Sequence, residues 1–218
     1  MKNIIISLVF LSKIFSYNTG YAGIYFNNGL ILSGSYTYEK DDDETINGAG
    51  IGFSYLFKAK ESDFFEFSAF YNNIDSDDLN MKMLSSGIGY YFDNIKLGVH
   101  YEWLNDFSGN VINELNYQGF EMDMSASSRM FSVGFYKRYI KENNFVYIPF
   151  IDIIRVDSDV STALTLNGTE ILNITTDDST NLIRLGIGFK KNNIVIQPLV
   201  TMNDGTNRFT INTFFKFR

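Results

Sequence analysis

His100 is the single histidine of the 218-residue chain, and Glu102 stands two residues after it. A histidine beside a carboxylate is the pairing that general acid–base catalysis uses: the carboxylate orients the ring and the ring carries the proton. Nine further ionisable residues fall at the same phase of alternating polar and apolar segments: Glu39, Lys58, Glu66, Lys96, Arg138, Asp152, Arg184, Lys190 and Lys216. Acidic runs lie between these segments, at Asp41 to Glu44, at Asp75, Asp77 and Asp78, and at Asp157, Asp159, Asp177 and Asp178. Carboxylate oxygens suit hard divalent cations, but the spacing matches no EF-hand loop, and a solvated acidic rim accounts for the same residues. No Ser–His–acid set, phosphate-cradling glycine loop or metal-ligand cluster stands out. His100 is therefore read as a member of an interior hydrogen-bond network, with a hydrolase using His100 as the minor alternative. No catalytic residue, cofactor or metal is expected.

These charges need elements that turn them all to one side. Ten segments of period-two alternation supply them, at 29–39, 47–58, 63–74, 82–92, 95–104, 128–140, 145–156, 181–190, 194–202 and 209–217. In the last, Phe209, Ile211, Thr213, Phe215 and Phe217 share one face, and Thr210, Asn212, Phe214 and Lys216 the other. Within 128–140, Lys137 falls on the apolar side, which points to a bulge or to the edge of an apolar belt. Connections alternate between short (61–62, 93–94, 141–144, 191–193) and long (40–46, 75–81, 105–127, 157–180, with 203–206 shorter). In 157–180, Asn167-Gly168 is a type I′ turn signal and predicts a hairpin standing on its two flanking strands. Loop 105–127 mixes Phe107, Val111, Ile112, Leu115, Tyr117 and Phe120 with polar residues, a candidate partner surface.

Aromatic residues make up 17% of the chain, which serves both strand formation and interfacial anchoring. There is no cysteine, and the net charge of -7 argues against a nucleic-acid partner. Residues 1–22 read as a cleaved secretory leader: Lys2, the apolar run Ile4 to Leu11, and small residues Gly20 and Ala22 ahead of the cut. A cut after Ser16 is the other possibility. Residues 23–218 then form one domain, with Tyr21 to Phe26 available to lengthen the first strand. The chain lacks the ~20-residue apolar run of a membrane helix, so a membrane form must be a closed barrel, which alone satisfies every strand's backbone groups in lipid.

The alternation predicts an all-β, antiparallel up-and-down barrel of about ten strands, or eight if two weak strands belong to loops. Apolar residues, including Phe209, Ile211, Phe215 and Phe217, would face lipid. The charged residues would face a narrow interior, where they must pair. Two interiors fit this pattern: a salt-bridged, mostly closed core, or a thin polar channel. Lys58, Lys96, Arg138, Lys190 and Lys216 fall near one end of their strands and the acidic runs near the other.

The leader, the alternating strands, the unequal connections, the acidic loops and the aromatic-ended last strand resemble the small outer-membrane β-barrel proteins of Gram-negative bacteria. The resemblance covers about Gly29 to Phe217 and is architectural. It departs from the usual pattern in ending Phe217-Arg218, where the aromatic is ordinarily last. Two enzyme families of such barrels do not carry over. Omptin proteases pair a histidine with an aspartate two residues earlier, here Gly98. Lipid A deacylases follow the histidine two residues later with serine, here Glu102. Autotransporter-like barrels look similar too, and no passenger segment is expected ahead of this one. The resemblance implies an outer-membrane location and a monomer without enzymatic activity. Its partners would be membrane lipid and lipopolysaccharide, the barrel-assembly machinery during biogenesis, and a host or surface ligand reached through the loops. A narrow porin-like channel is the alternative role.

Overall fold

The computed structural model describes residues 22–40, 45–60, 63–76, 79–141, 143, 145–203 and 206–217, without the side chains of Val111 and Thr206. Its strands are β1 (Gly29–Lys40), β2 (Thr45–Lys58), β3 (Phe64–Asp75), β4 (Asn80–Phe92), β5 (Ile95–Ser108), β6 (Phe120–Tyr136), β7 (Tyr139–Ile140), β8 (Phe145–Leu166), β9 (Thr169–Lys191), β10 (Ile194–Asn203) and β11 (Thr206–Lys216). Each pairs antiparallel with its neighbour, β1 pairs with β11 and β6 with β8, so the sheet closes on itself. β7 is the stub of β6 beyond a break at Lys137 and Arg138, which leaves ten staves. Following the pairings once round returns to β1 about twelve residues along, the stagger of a narrow barrel with strands tilted by roughly 40°.

The two prolines sit where the ladder can spare a donor. The Lys137 N–H donates to the Pro149 carbonyl at 3.2 Å, on the side where proline has no N–H to return, and β6 breaks there. The pairing of β9 with β10 is interrupted opposite Gln197 and Pro198. Turns at one end are tight, with Asp93 and Asn192 at positive φ. At the other end Asn167 and Gly168 take φ of 51° and 78°, the type I′ pair that joins β8 to β9.

Three regions depart from the expected layout. Residues 105–127 are not a free loop: β5 runs to Ser108, helix α1 spans Asn110–Tyr117, and β6 starts at Phe120. Residues 157–180 continue β8 and β9 without a break, so the hairpin is the strands themselves. Ala22–Ile24 form a single 3-10 turn inside the barrel rather than extra strand. Alternation fails as a signal in the first two because, beyond the lipid, the outward face is polar as well. The runs 41–44, 61–62, 77–78 and 204–205 lie outside the described residues, as does Tyr21.

Candidate functional site

The exterior reverses the normal order of a protein surface. Ile51 is 66% exposed and Ile153 53%, and both stand in a continuous outward band with Leu32, Val99, Val133, Ile183, Leu185, Ile196 and Ile211. Aromatic pairs rim the band at the end where β1 begins and β11 finishes: Phe57 with Phe65 and Phe67, Phe65 with Tyr90, Tyr139 with Tyr147, Phe145 with Phe189, and Phe215 with Phe217. At the opposite rim stand Tyr36, Tyr38, Tyr71, Tyr101 and Trp103. Such a band in water would aggregate; flanked by two aromatic girdles, it is the surface that a bilayer solvates. The chain is a membrane-spanning β-barrel of the outer-membrane type. The lipid boundary is legible on neighbouring strands, where outward Phe131, Ile153 and Ile183 give way to Arg129, Arg155 and Asn181 one step further out. Barrels of this type keep their tight turns on the periplasmic side and their long hairpins outside, and the two ends are called periplasmic and extracellular on that basis.

No family model matches the chain, and no curated protein matches it. Solved structures resemble it at low identity. The transport unit of the autotransporter AIDA-I from Escherichia coli is 10% identical, covers 97% of this chain and 97% of its own, and gives a TM-score of 0.48. The β domain of the Bordetella autotransporter BrkA is 13% identical over 88% of this chain and 99% of its own, with a TM-score of 0.47. The KdgM porin is 10% identical over 85% and 99%, with a TM-score of 0.42.

The interior has three layers. At the periplasmic end a plug of residues 22–26 fills the mouth. Ile24, Tyr25 and Phe26 pack among Ile31, Leu56, Phe64, Tyr91, Ile148 and Phe214. The plug's backbone is held by the charges predicted to line the lumen. Arg138 donates through Nε to the Ile24 carbonyl at 3.1 Å and through Nη2 to the Gly23 carbonyl at 3.3 Å. Lys190 Nζ donates to the Tyr25 carbonyl at 2.8 Å and lies 4.5 Å from the Phe26 ring centre. Glu66 accepts the Ala22 and Gly23 N–H groups at 3.2 and 3.0 Å, and the Tyr91 hydroxyl donates to the same carboxylate.

The middle layer is polar. Lys96 and Asp152 form an ion pair at 2.9 Å with both side chains buried. Arg184 faces Asp152 across the β8–β9 ladder and donates from Nε to Thr201 at 3.3 Å. Asn212 donates to Gln197 at 2.8 Å and Thr37 bonds Thr210 at 2.9 Å. His100 and Glu102 lie in this layer, both buried. The His100 ring occupies space over Gly87, where a Cβ would overlap it. Lys96, His100, Glu102, Asp152, Arg184, Gln197 and Asn212 are 0 to 3% exposed. A water-filled passage would wet these side chains; instead they exclude water from one another.

The extracellular layer is apolar: Ile46, Ile74, Met81, Met83, Met124, Met130, Ile154, Val156, Val160 and Leu182 close over the polar middle, with Leu104, Phe107 and Ile174 packed against them. The methionines sit at inward phases of β4 and β6 and were the available sequence signal for this lid. Glu39 pairs with Arg208 at 2.7 Å near the same end; Arg208 was not among the expected site residues. Two expected charges sit elsewhere. Lys58 is exposed at the periplasmic end of β2, and Lys216 donates to Asn28 at the rim. Phe209, Ile211, Phe215 and Phe217 all face outward. Among the described residues no cluster of three or more His, Asp or Glu could hold a metal ion.

Beyond the lid, β6, β8 and β9 continue as a three-stranded sheet. The ten residues Asp157 to Leu166 of β8 extend it by about 30 Å, measured along the strand. Its outer face is hydrophilic: Arg129 pairs with Asp159 at 3.3 Å, Arg155 with Asp157 at 3.0 Å, and Arg155 donates to Ser179 at 2.7 Å. A hydrogen bond from Ser179, with Arg155 and Arg129 nearby, holds the Asp157 carboxyl below its ordinary 3.8. The Lys82–Asp106 pair at 2.6 Å likewise lowers Asp106 and raises Lys82, first through their hydrogen bond and then through charge. One edge of this sheet has no partner strand among the described residues: β10 pairs with β9 only from Ile183 onward, the Thr180 hydroxyl still donates to Asn203 at 3.1 Å, and Thr169 to Ser179 lie beyond. Tyr117 of α1, which packs against β6 on the other side of this sheet, is 93% exposed.

Proposed function

We propose that this barrel is a non-enzymatic surface interaction protein whose binding element is the open edge of β9. The supporting observation is that, among the described residues, Thr169 to Ser179 of β9 pair with β8 alone, beyond the apolar band. Unpaired N–H and C=O groups in a row accept an extended chain by strand addition, and main-chain bonds supply the affinity. Glu170, Asp177 and Asp178 are the only ionisable side chains of that segment, so the occupant is an extended, basic segment of a host or surface protein. The filled interior favours this reading over a porin-like channel. Lipopolysaccharide would meet the polar band at Arg129 and Arg155, and the assembly machinery would recognise the closing strand β11. The barrel acts as a monomer.

The test is binding of the intact protein, in outer-membrane vesicles, to basic and acidic peptides of equal strand propensity. The basic peptide binds, and Asp177→Lys with Asp178→Lys weakens it by about tenfold through like-charge repulsion. Equal binding of both peptides, or no change in the double variant, removes the edge reading.

A further inference from the structure

Glu66 holds a carboxylate in the barrel with no cation to match it. It is 2% exposed, and among the described residues it enters no ion pair. Its partners include two backbone N–H groups and the hydroxyls of Tyr91 and Ser54. A buried carboxylate held only by neutral donors is costly compared with one that meets a positive charge. One of those N–H groups belongs to Gly23, whose nitrogen lies 3.0 Å from Oε2. Gly23 is also the first residue after the small-x-small stretch Gly20-Tyr21-Ala22.

We propose that cleavage of the Ala22–Gly23 bond creates the ligand of Glu66. A leader peptidase hydrolyses that amide with water while the chain is still unfolded. Ala22 leaves as a carboxylate, and the Gly23 nitrogen takes up protons as an α-ammonium. On folding, that ammonium seats on Glu66 and supplies the missing charge. The Ala22 N–H bond to Glu66 and the two turn bonds that Tyr25 and Phe26 make to the Ala22 carbonyl are lost. Residues 23–26 stay docked through Arg138 and Lys190, which hold the carbonyls of Gly23, Ile24 and Tyr25. Glycine suits the new terminus, since a Cβ at this position would overlap the Tyr91 ring. The processed end thus becomes the plug of the periplasmic mouth, and an unprocessed chain has the wrong charge at this position.

The first measurement is terminal sequencing and intact mass of the protein taken from outer membranes. The expected terminus is Gly23-Ile24-Tyr25-Phe26; a start at Tyr17, at Ala22, or an uncut chain overturns the proposal. The second is amine labelling of the folded protein, read by mass spectrometry at the terminal peptide. The Gly23 amine is expected to label at least tenfold more slowly than in Glu66→Gln, and equal rates overturn the ion pair. If Glu66→Gln fails to assemble, the mature chain is refolded with its terminus free and with it acetylated. Acetylation is expected to lower the temperature at which the folded gel band is lost, and an unchanged temperature counts against the pair.

Discussion

Asp152→Ala is expected to destabilise the folded barrel by about 3–5 kcal/mol, because it strands the Lys96 ammonium in a layer that excludes water. Both partners are buried and 2.9 Å apart, and the pair bridges β5 and β8 across the interior. The wall has adapted to it: at Gly134 an added Cβ would overlap Asp152 Oδ1 and come within 3.2 Å of Lys96 Cε. The cost is that of an unmatched charge, so removing both charges behaves differently. Lys96→Met with Asp152→Leu is expected to recover most of the loss. Urea unfolding in detergent, followed by the gel shift between folded and unfolded bands, measures both. Near-equal stability of the single and double variants would mean that the two charges are not a buried pair.

Gly52→Val on β2 is expected to cost about 1–3 kcal/mol, at the upper end of overpacking effects. A Cβ at Gly52 would overlap the Phe70 ring and sit 2.6 Å from the Ala69 carbonyl oxygen, which is wall backbone and cannot rotate away. Gly34 is the comparison: there a Cβ meets only the Thr213 hydroxyl at 3.1 Å, which can turn, so Gly34→Ala should change little. The same unfolding assay reads both. Equal effects at the two positions would show that the interior near Phe70 is looser than described.

Facing was legible in the sequence because lipid imposes period two. Every apolar position named on β11, and the charges Glu66, Lys96, His100, Glu102, Asp152 and Arg184, could be assigned a side from alternation alone. Asn167-Gly168 announced its hairpin through backbone chemistry that few other pairs satisfy. Other features had no such signal. The plug, Gly23 to Phe26, is too short to show a period, and beside β1 it reads as more strand. The extensions of β5, β6, β8 and β9 are polar outside and only patchily apolar inside, so they read as loops. Lys58 follows the inward phase, yet it is the last residue of β2, where a lysine reaches water more cheaply than an interior partner. Arg208 sits beside a turn, where alternation has no hold, and its match to Glu39 depends on closure between the first and last strands.

This barrel is filled by its own side chains: a plug below, a polar layer between, a methionine-rich lid above. Single-channel recording tests it most directly, on protein whose heat-modifiable gel band has first shown that it is folded. The expected record stays at baseline, without ohmic steps, across ordinary voltages and in concentrated salt. Reproducible conductance steps from folded protein would contradict it, and would mean that water and ions pass where Lys96, Asp152 and Arg184 are described as packed.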